Sequence, residues 1–599
     1  MKNTDSTSSS NQSLLRLQEI QSTLRESTKT ENDQITADAV RGLVEYFNSI
    51  YESIESNQED EDSKRIALES LTELLKFISS PLNQMAVDAL SFELPKLVVK
   101  YASLSHKFCE IAECVIDRLI SKCNSRDMLA IICEALDAPS EMFEEPAYFC
   151  PLLSGLSKVF ISLQRRHFEQ IKETLPAALK VVVAVSSELH DENINSFKDL
   201  IDRAIQIGTS VQEVCKNVEG RQKEQIRALL GLFVLQIMAL TSNTLASPNL
   251  NLPVISQLSQ FLPFCNLSYL GLVTGEDIEA LGTNFGGVSE DNDSMSSISL
   301  VKQGAFIAVV WGDISDKVVN SAHEDMAVVK DNLRSSQSKR WQTLGMLKHV
   351  LSSIDLPWKL REHALDFFLS LMEGNLSPMR SNECANFVFD MPSLYSAEQV
   401  IEMVIIYAPD VVLRKKAFAA MKMVLADLPP FQRFDVLKAS ITNNKFPSMI
   451  AILLDRVREE MFKEISRRGL PKSVDETLEG NTKSVSSPFL SKDVLELVEI
   501  VLKPPAGGPP SLEEDSDAVL SALNLYRYIL IAESKGNTNY TGVLSQASLR
   551  KAYEEWLKPL QTLVSTVTVN GEDCLHALNP VQSVLDRCIE LIQELQHTA

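Results

Sequence analysis

Eight histidines and ten cysteines are the side chains that could hold a metal ion in this chain, and neither set is spaced to do so. A zinc-protease site needs two histidines one helical turn apart with a glutamate after the first. His323 and Glu324 begin that pattern, but Ala327 stands where the second histidine belongs. His106, His167, His190, His349, His363, His576 and His597 have no ligand partner at a useful spacing, so they read as packed or solvent-exposed helical histidines. Cys109, Cys114, Cys123 and Cys133 cluster in sequence, yet intervals of five, nine and ten residues match no zinc pattern. In an apolar helical stretch they read as buried small hydrophobes. No CxxC pair occurs, and cysteines this sparse without a signal peptide point to reduced thiols.

Other chemistry lacks its signatures as well. The chain has no phosphate-binding G-x-x-x-x-G-K-[ST] loop, no G-x-G-x-x-G turn and no G-x-S-x-G nucleophile elbow. Asp291-Asn292-Asp293 opens like a calcium loop, but Met295 replaces the fifth-position ligand and no glycine follows it. Glu459-Glu460 and Glu513-Glu514 lie in hydrophilic stretches and read as solvated carboxylates. No enzyme, cofactor, metal or small-molecule substrate is expected, and an unrecognised catalytic cleft is the remaining enzymatic reading.

The elements around these residues are helical. From Asp33 onwards, segments of about 12 to 25 residues carry apolar side chains at intervals of three and four, separated by Pro, Asn, Ser or Gly breaks. The clearest unit runs from Lys339 to Gly374. Trp341, Leu344, Leu347, Val350, Leu351 and Ile354 make one stripe, Pro357 interrupts it, and Leu365, Phe368, Leu369 and Met372 make the next. A second unit repeats the plan, with Val400, Ile401, Val404 and Ile405 before Pro409 and Leu413, Ala417, Met421, Val424 and Leu425 after it. Leu360-Arg361-Glu362-His363-Ala364-Leu365 and Leu413-Arg414-Lys415-Lys416-Ala417-Phe418 share an L-R-x-x-A-apolar core, echoed at Leu549-Arg550-Lys551-Ala552. Repetition at roughly 40 to 55 residues predicts an all-α, HEAT/armadillo-like solenoid of antiparallel helix pairs. Two or three helical bundles joined by linkers are the competing architecture.

Composition shifts suggest the organisation. Residues 1–32 read as a flexible polar N-terminal arm, 33–281 as a first helical-repeat half and 282–297 as an acidic Gly/Ser loop. Residues 298–468 read as further repeats that bind a partner, 469–490 as a linker, and 491–599 as C-terminal helices interrupted by a Pro/Gly loop at 503–517. The apolar stretch Ala228–Leu240 falls short of the roughly 20 residues that cross hydrocarbon and is expected to be a buried helix.

With a formal net charge of −23 over 599 residues, the surface repels nucleic acid and anionic lipid and favours basic partners. The same charge also serves to keep a long exposed stack in solution. Three of four short basic clusters, Lys339-Arg340, Arg414-Lys415-Lys416 and Arg467-Arg468, fall in one region, the fourth being Arg165-Arg166. Met1 to Ser13 carries no secretory or transit signal, so the expected location is the nucleus and cytoplasm, with the free protein a monomer. Arg456, Arg458 and Met461, following Met449, Ile452 and Leu453, are the candidate partner-binding residues, because arginine beside methionine suits an interface. A solvated helix flank with one core methionine is the plainer reading of the same residues.

Lys339-Arg340-Trp341-Gln342, Gly345 through Ser353, Leu356-Pro357-Trp358 and His363-Ala364 resemble the plant aberrant lateral root formation proteins of the glomulin family. Phe434 to Ala439 and Ile452 to Arg458 are similar to a later segment of that family, and the likeness extends from about Val40 to the end. The resemblance implies a HEAT-like fold whose C-terminal half binds the RING-box subunit of cullin-RING (SCF-type) ubiquitin ligases. By masking the surface to which the ubiquitin-conjugating enzyme docks, such a protein inhibits ubiquitination, with a role in lateral root formation and auxin signalling. A solenoid adaptor for transport or assembly of a basic cargo is the alternative, although this chain is short for a karyopherin-like protein.

Overall fold

The computed structural model describes residues 5–57, 60–138, 140–244, 248–284, 298–373, 391–469, 487–504, 507–570 and 575–598. The chain divides into two compact units, Met1–Gly374 and Asn375–Ala599. The described residues of both form helices and no strand.

In the first unit the helices pack as two rows. His106–Lys122, Pro146–Ser162 and Ile194–Lys216 stack in one, and Leu94–Val98, Ser125–Leu136 and His167–Ser187 stack beside them. Each helix touches its sequence neighbour and the helix two places on, which is how a repeat stack differs from a closed bundle. Arg221–Thr244 continues the stack onto Ile298–Ile314, followed by Gln337–Leu351 and Trp358–Met372. The second unit follows the same rule. Pro447–Gly469, Leu512–Gly536 and Leu575–Thr598 form one row, while Met391–Tyr407, Pro430–Asn443, Asp493–Leu502 and the π-helical turn Ala552–Leu557 form the other. The architecture is the expected all-α, HEAT/armadillo-like one.

The repeat signature has a physical basis. Leu360 and Ala364, like Leu413 and Ala417, are buried one helical turn apart, where a small alanine lets the neighbouring helix approach. Arg361 is buried because its guanidinium bonds the loop that precedes its own helix. Its Nε donates to the Leu356 carbonyl at 3.0 Å and its Nη2 to those of Ile354, at 2.9 Å, and Ser353. The group also stacks 4.2 Å above the Trp358 ring. These bonds hold the reversal between the two helices, and Pro357 caps the second helix with an extended ψ of 138°. The loop turns Ile354 out of the first stripe, leaving it 91% exposed.

Two sequence expectations need correction. Within the supposed N-terminal arm, Asp5–Lys29 is a helix packed on Asp33–Ser56 and Glu61–Ser79, with Leu17 and Leu24 fully buried. Its inward stripe also includes Gln21 and Thr28, polar residues that hide the periodicity, and Arg25 anchors it through Asn83 at 2.9 Å. The Pro/Gly loop at 503–517 is shorter than expected, because Leu512–Gly536 is helical and Glu513 and Glu514 lie in its first turn, where a helix favours negative charge. Most of the other two interruptions, including Asp291-Asn292-Asp293, lies outside the described residues.

Among the described residues one helix, Arg221–Thr244, is long and apolar enough to cross a membrane, but 83% of its apolar window is buried inside the stack. A Cβ added at Gly304 would sit 1.9 Å from the Leu235 carbonyl oxygen, so Ile298–Ile314 lies directly against the backbone of this helix. Gln303 bonds Asn243 at 2.7 Å and Trp311 bonds Ser242 at 3.1 Å across the same contact.

Candidate partner-binding surface

The sequence-level candidates lie on Pro447–Gly469. Met449, Leu453, Leu454, Val457 and Met461 form its inward stripe, which leaves Met461 1% exposed and part of the core. Arg456 is 7% exposed, beside that stripe, and belongs to an internal ion cluster. Its guanidinium pairs with Glu459 and, at 3.4 Å, with Glu460. Glu460 also takes Lys463 at 2.7 Å and Arg433 from the helix before it, and Arg433 bonds the Leu428 carbonyl at 2.8 Å. Burial would raise the Glu460 carboxyl, but Lys463 and Arg433 outweigh it and hold the group below its usual range. Glu460 is therefore buried rather than solvated, because three cations replace its water.

Arg456 and Met461 thus face their own chain, and only Arg458 of the three is open to a partner. Its side chain pairs with Asp455 at 3.0 Å and borders an open groove of about 680 Å³. The first helix contributes Arg458, Glu459, Phe462 and Lys463 to that groove, and Leu512–Gly536 contributes Asn524, Arg527, Tyr528 and Ile531. Arg587 of Leu575–Thr598 completes it. The spacing of 524, 527, 528 and 531 is one helical face, directed away from the buried Leu523, Tyr526 and Leu530. Burial raises the Tyr528 phenol, and the positive charge of Arg458 opposes the shift. Sequence reasoning missed Phe462, Arg527, Tyr528 and Arg587. Their signal was the outer face of helices whose inner faces had already been read.

A second unread feature lies in the same unit. Glu398 and Glu402, one turn apart on Met391–Tyr407, are 0% and 4% exposed. Neither Glu398 oxygen has a hydrogen-bond partner, while Glu402 accepts from Asn444 at 2.9 Å. Burial, with Glu402 adding repulsion, pushes Glu398 up to about 8, and burial raises Glu402 to about 7 against hydrogen bonds from Ser440 and Asn444.

The side chains first suspected of metal chemistry are otherwise occupied. Burial raises Cys109 to about 12 and Cys123 and Cys133 to about 11, which disfavours the thiolate that binds metal or attacks. They are only half-buried, and Cys114 is exposed, so the reading of all four as core residues is too strong. Glu324, next to His323, accepts from the Tyr269 amide at 2.9 Å and so holds the start of Tyr269–Thr274. Burial, beside Lys302 and Lys348, lowers His349 to about 4 and keeps it neutral at physiological pH.

Residues 43–261 and 376–583 match the model of an uncharacterised protein family described as YAP/Alf4/glomulin. Aberrant root formation protein 4 of Arabidopsis thaliana is 39% identical over 577 residues, covering 93% of this chain and 88% of that protein. Glomulin of Homo sapiens is 22% identical over 230 residues, which are 38% of this chain and 36% of that one. Importin beta aligns with 96% of the chain and 68% of its own at 12% identity and a TM-score of 0.25, a value too low to bear on what this chain binds.

Proposed function

Since the chain belongs to the YAP/Alf4/glomulin family, we propose that it is a non-enzymatic regulator of cullin-RING ubiquitin ligases, acting by binding their RING-box subunit. The 375–599 unit covers the surface to which the ubiquitin-conjugating enzyme docks, and ubiquitin transfer stops because two proteins cannot occupy one surface. No bond is made or broken by the regulator. The observation that carries this reading is the family match over both units, joined by an exposed arginine and aromatic groove in the second. A stack of helix pairs suits the task, because it presents a row of outer helix faces on a rigid support.

The name of the Arabidopsis relative places that protein in root formation. A role for this chain in lateral root formation and hormone signalling, in nucleus and cytoplasm, is part of the same proposal. The test is to mix the purified chain with a RING-box subunit held on its cullin, then to follow ubiquitin-chain formation in the same samples. The expected result is a stoichiometric complex and loss of chain formation at saturation. Unaltered chain formation at saturating protein overturns the reading and returns weight to a solenoid adaptor.

A further inference from the structure

The groove on the second unit carries a charge opposite to that of the protein. Arg458, Lys463, Arg527 and Arg587 stand against one carboxylate, Glu459, so the lining holds four positive groups to one negative in a chain of net charge −23. Its floor is apolar and unspent, since Phe462 is 60% exposed.

Lys463 is tied to the buried Glu460, but the three arginines can take a new partner. Arg458 is held by Asp455 at 3.0 Å, and Arg587 by Glu590 at 2.9 Å and Glu594 at 3.2 Å, all through half-exposed pairs within a single helix. Solvent-exposed pairs of this kind are weak, so a partner's carboxylate can displace them. Arg527 pairs with no carboxylate among the described residues. Arginine around an exposed aromatic is the composition of an interface centre, where a planar guanidinium takes a carboxylate through two bonds.

We propose that this groove docks a short acidic segment of a partner protein, whose Asp or Glu side chains meet Arg458, Arg527 and Arg587 while an apolar side chain covers Phe462, Tyr528 and Ile531. This rests on the reading of the unit as a partner-binding surface and adds what the partner must present. Charge range selects a peptide over a nucleic acid. Screening confines the attraction to about 8 Å at physiological salt, within which a short segment meets the local positive charge, whereas a long polyanion also meets the acidic surface beyond it.

The experiment measures fluorescence anisotropy of a labelled peptide, with Asp and Glu flanking a Leu-Phe pair, titrated with the full chain. Controls are the same peptide with Asn and Gln in place of the acids, and a single-stranded oligonucleotide. The acidic peptide is expected to bind with an affinity that falls as salt rises, and the neutral peptide to bind weakly. R458E/R527E should weaken the acidic peptide about tenfold or more. Asn524→Trp, which fills the groove without changing charge, should block it, with circular dichroism reporting the fold of each variant. Equal binding of acidic and neutral peptides, indifference to both variants, or groove-dependent binding of the oligonucleotide at equal strength overturns the proposal.

Binding of the RING-box complex to the same variants separates this proposal from the ligase reading. A wild-type chain that takes the peptide but not the complex removes the ligase reading and leaves the docking groove. A chain that takes the complex regardless of R458E/R527E, yet never the peptide, does the reverse.

Discussion

Glu398 is the residue whose ionisation works most plainly against its surroundings. Its two oxygens are buried without a hydrogen bond, and Glu402 lies one turn away. The folded carboxyl keeps its proton to a higher pH than the unfolded chain, where the usual value is 4.5. Between about 4.5 and about 8 the unfolded state therefore binds fewer protons, and stability falls as pH rises. Glu398→Gln mimics the protonated form, so it should match the wild type below that window and exceed it at pH 8 by on the order of 2–4 kcal/mol. Denaturant unfolding across the pH range checks this, and parallel curves for the two proteins would sink it. The contrast with Glu460 is instructive. Both glutamates are buried, but three cations hold one ionised, and among the described residues no cation pairs with the other.

Helices in this chain are positioned by close approach as much as by apolar stripes. Where Ile298–Ile314 meets Arg221–Thr244, the space over Gly304 is filled by backbone of the facing helix, which cannot rotate away as a side chain can. Gly304→Ala should force the two helices apart and destabilise the first unit by about 3 kcal/mol, the upper range for overpacking, despite the higher helix propensity of alanine. Gly345 has open space around it, so Gly345→Ala serves as the control and should leave stability unchanged or slightly raised. Thermal unfolding of the two variants decides the matter, and equal midpoints would refute the close-packing account.

At the scale of the molecule, the one apolar helix of membrane-spanning length among the described residues is consumed by the stack, and the chain carries a formal charge of −23. The folded protein should therefore remain in the supernatant when centrifuged with vesicles containing phosphatidylserine, at low as well as physiological salt. Sedimentation with the vesicles at low salt would contradict both the burial of that helix and the charge argument. The groove's positive lining does not alter this expectation, because it is a small exception within a negative surface.

Much of the architecture was legible in one dimension. Apolar spacing, proline breaks and the L-R-x-x-A core marked the antiparallel pairs around Pro357 and Pro409, because a helix that buries one face must repeat its apolar residues every three or four positions. That Asp5–Lys29 packs as a helix rather than forming a flexible arm escaped notice, since Gln21 and Thr28 occupy inward positions that a pattern of apolar residues leaves blank. At the candidate surface the sequence singled out a helix that borders the groove, but of its three residues Arg456 and Met461 turn inward and Arg458 alone lines the groove. Arg456 and Arg458 are two residues apart, about 200° around a helix, so one is buried in an ion cluster and the other borders a groove. Periodicity determined that the chain is a stack of helix pairs. Which cations are spent internally, and that Arg458, Arg527 and Arg587 meet across three helices, was decided by tertiary packing, because those distances depend on how separate helices are laid side by side.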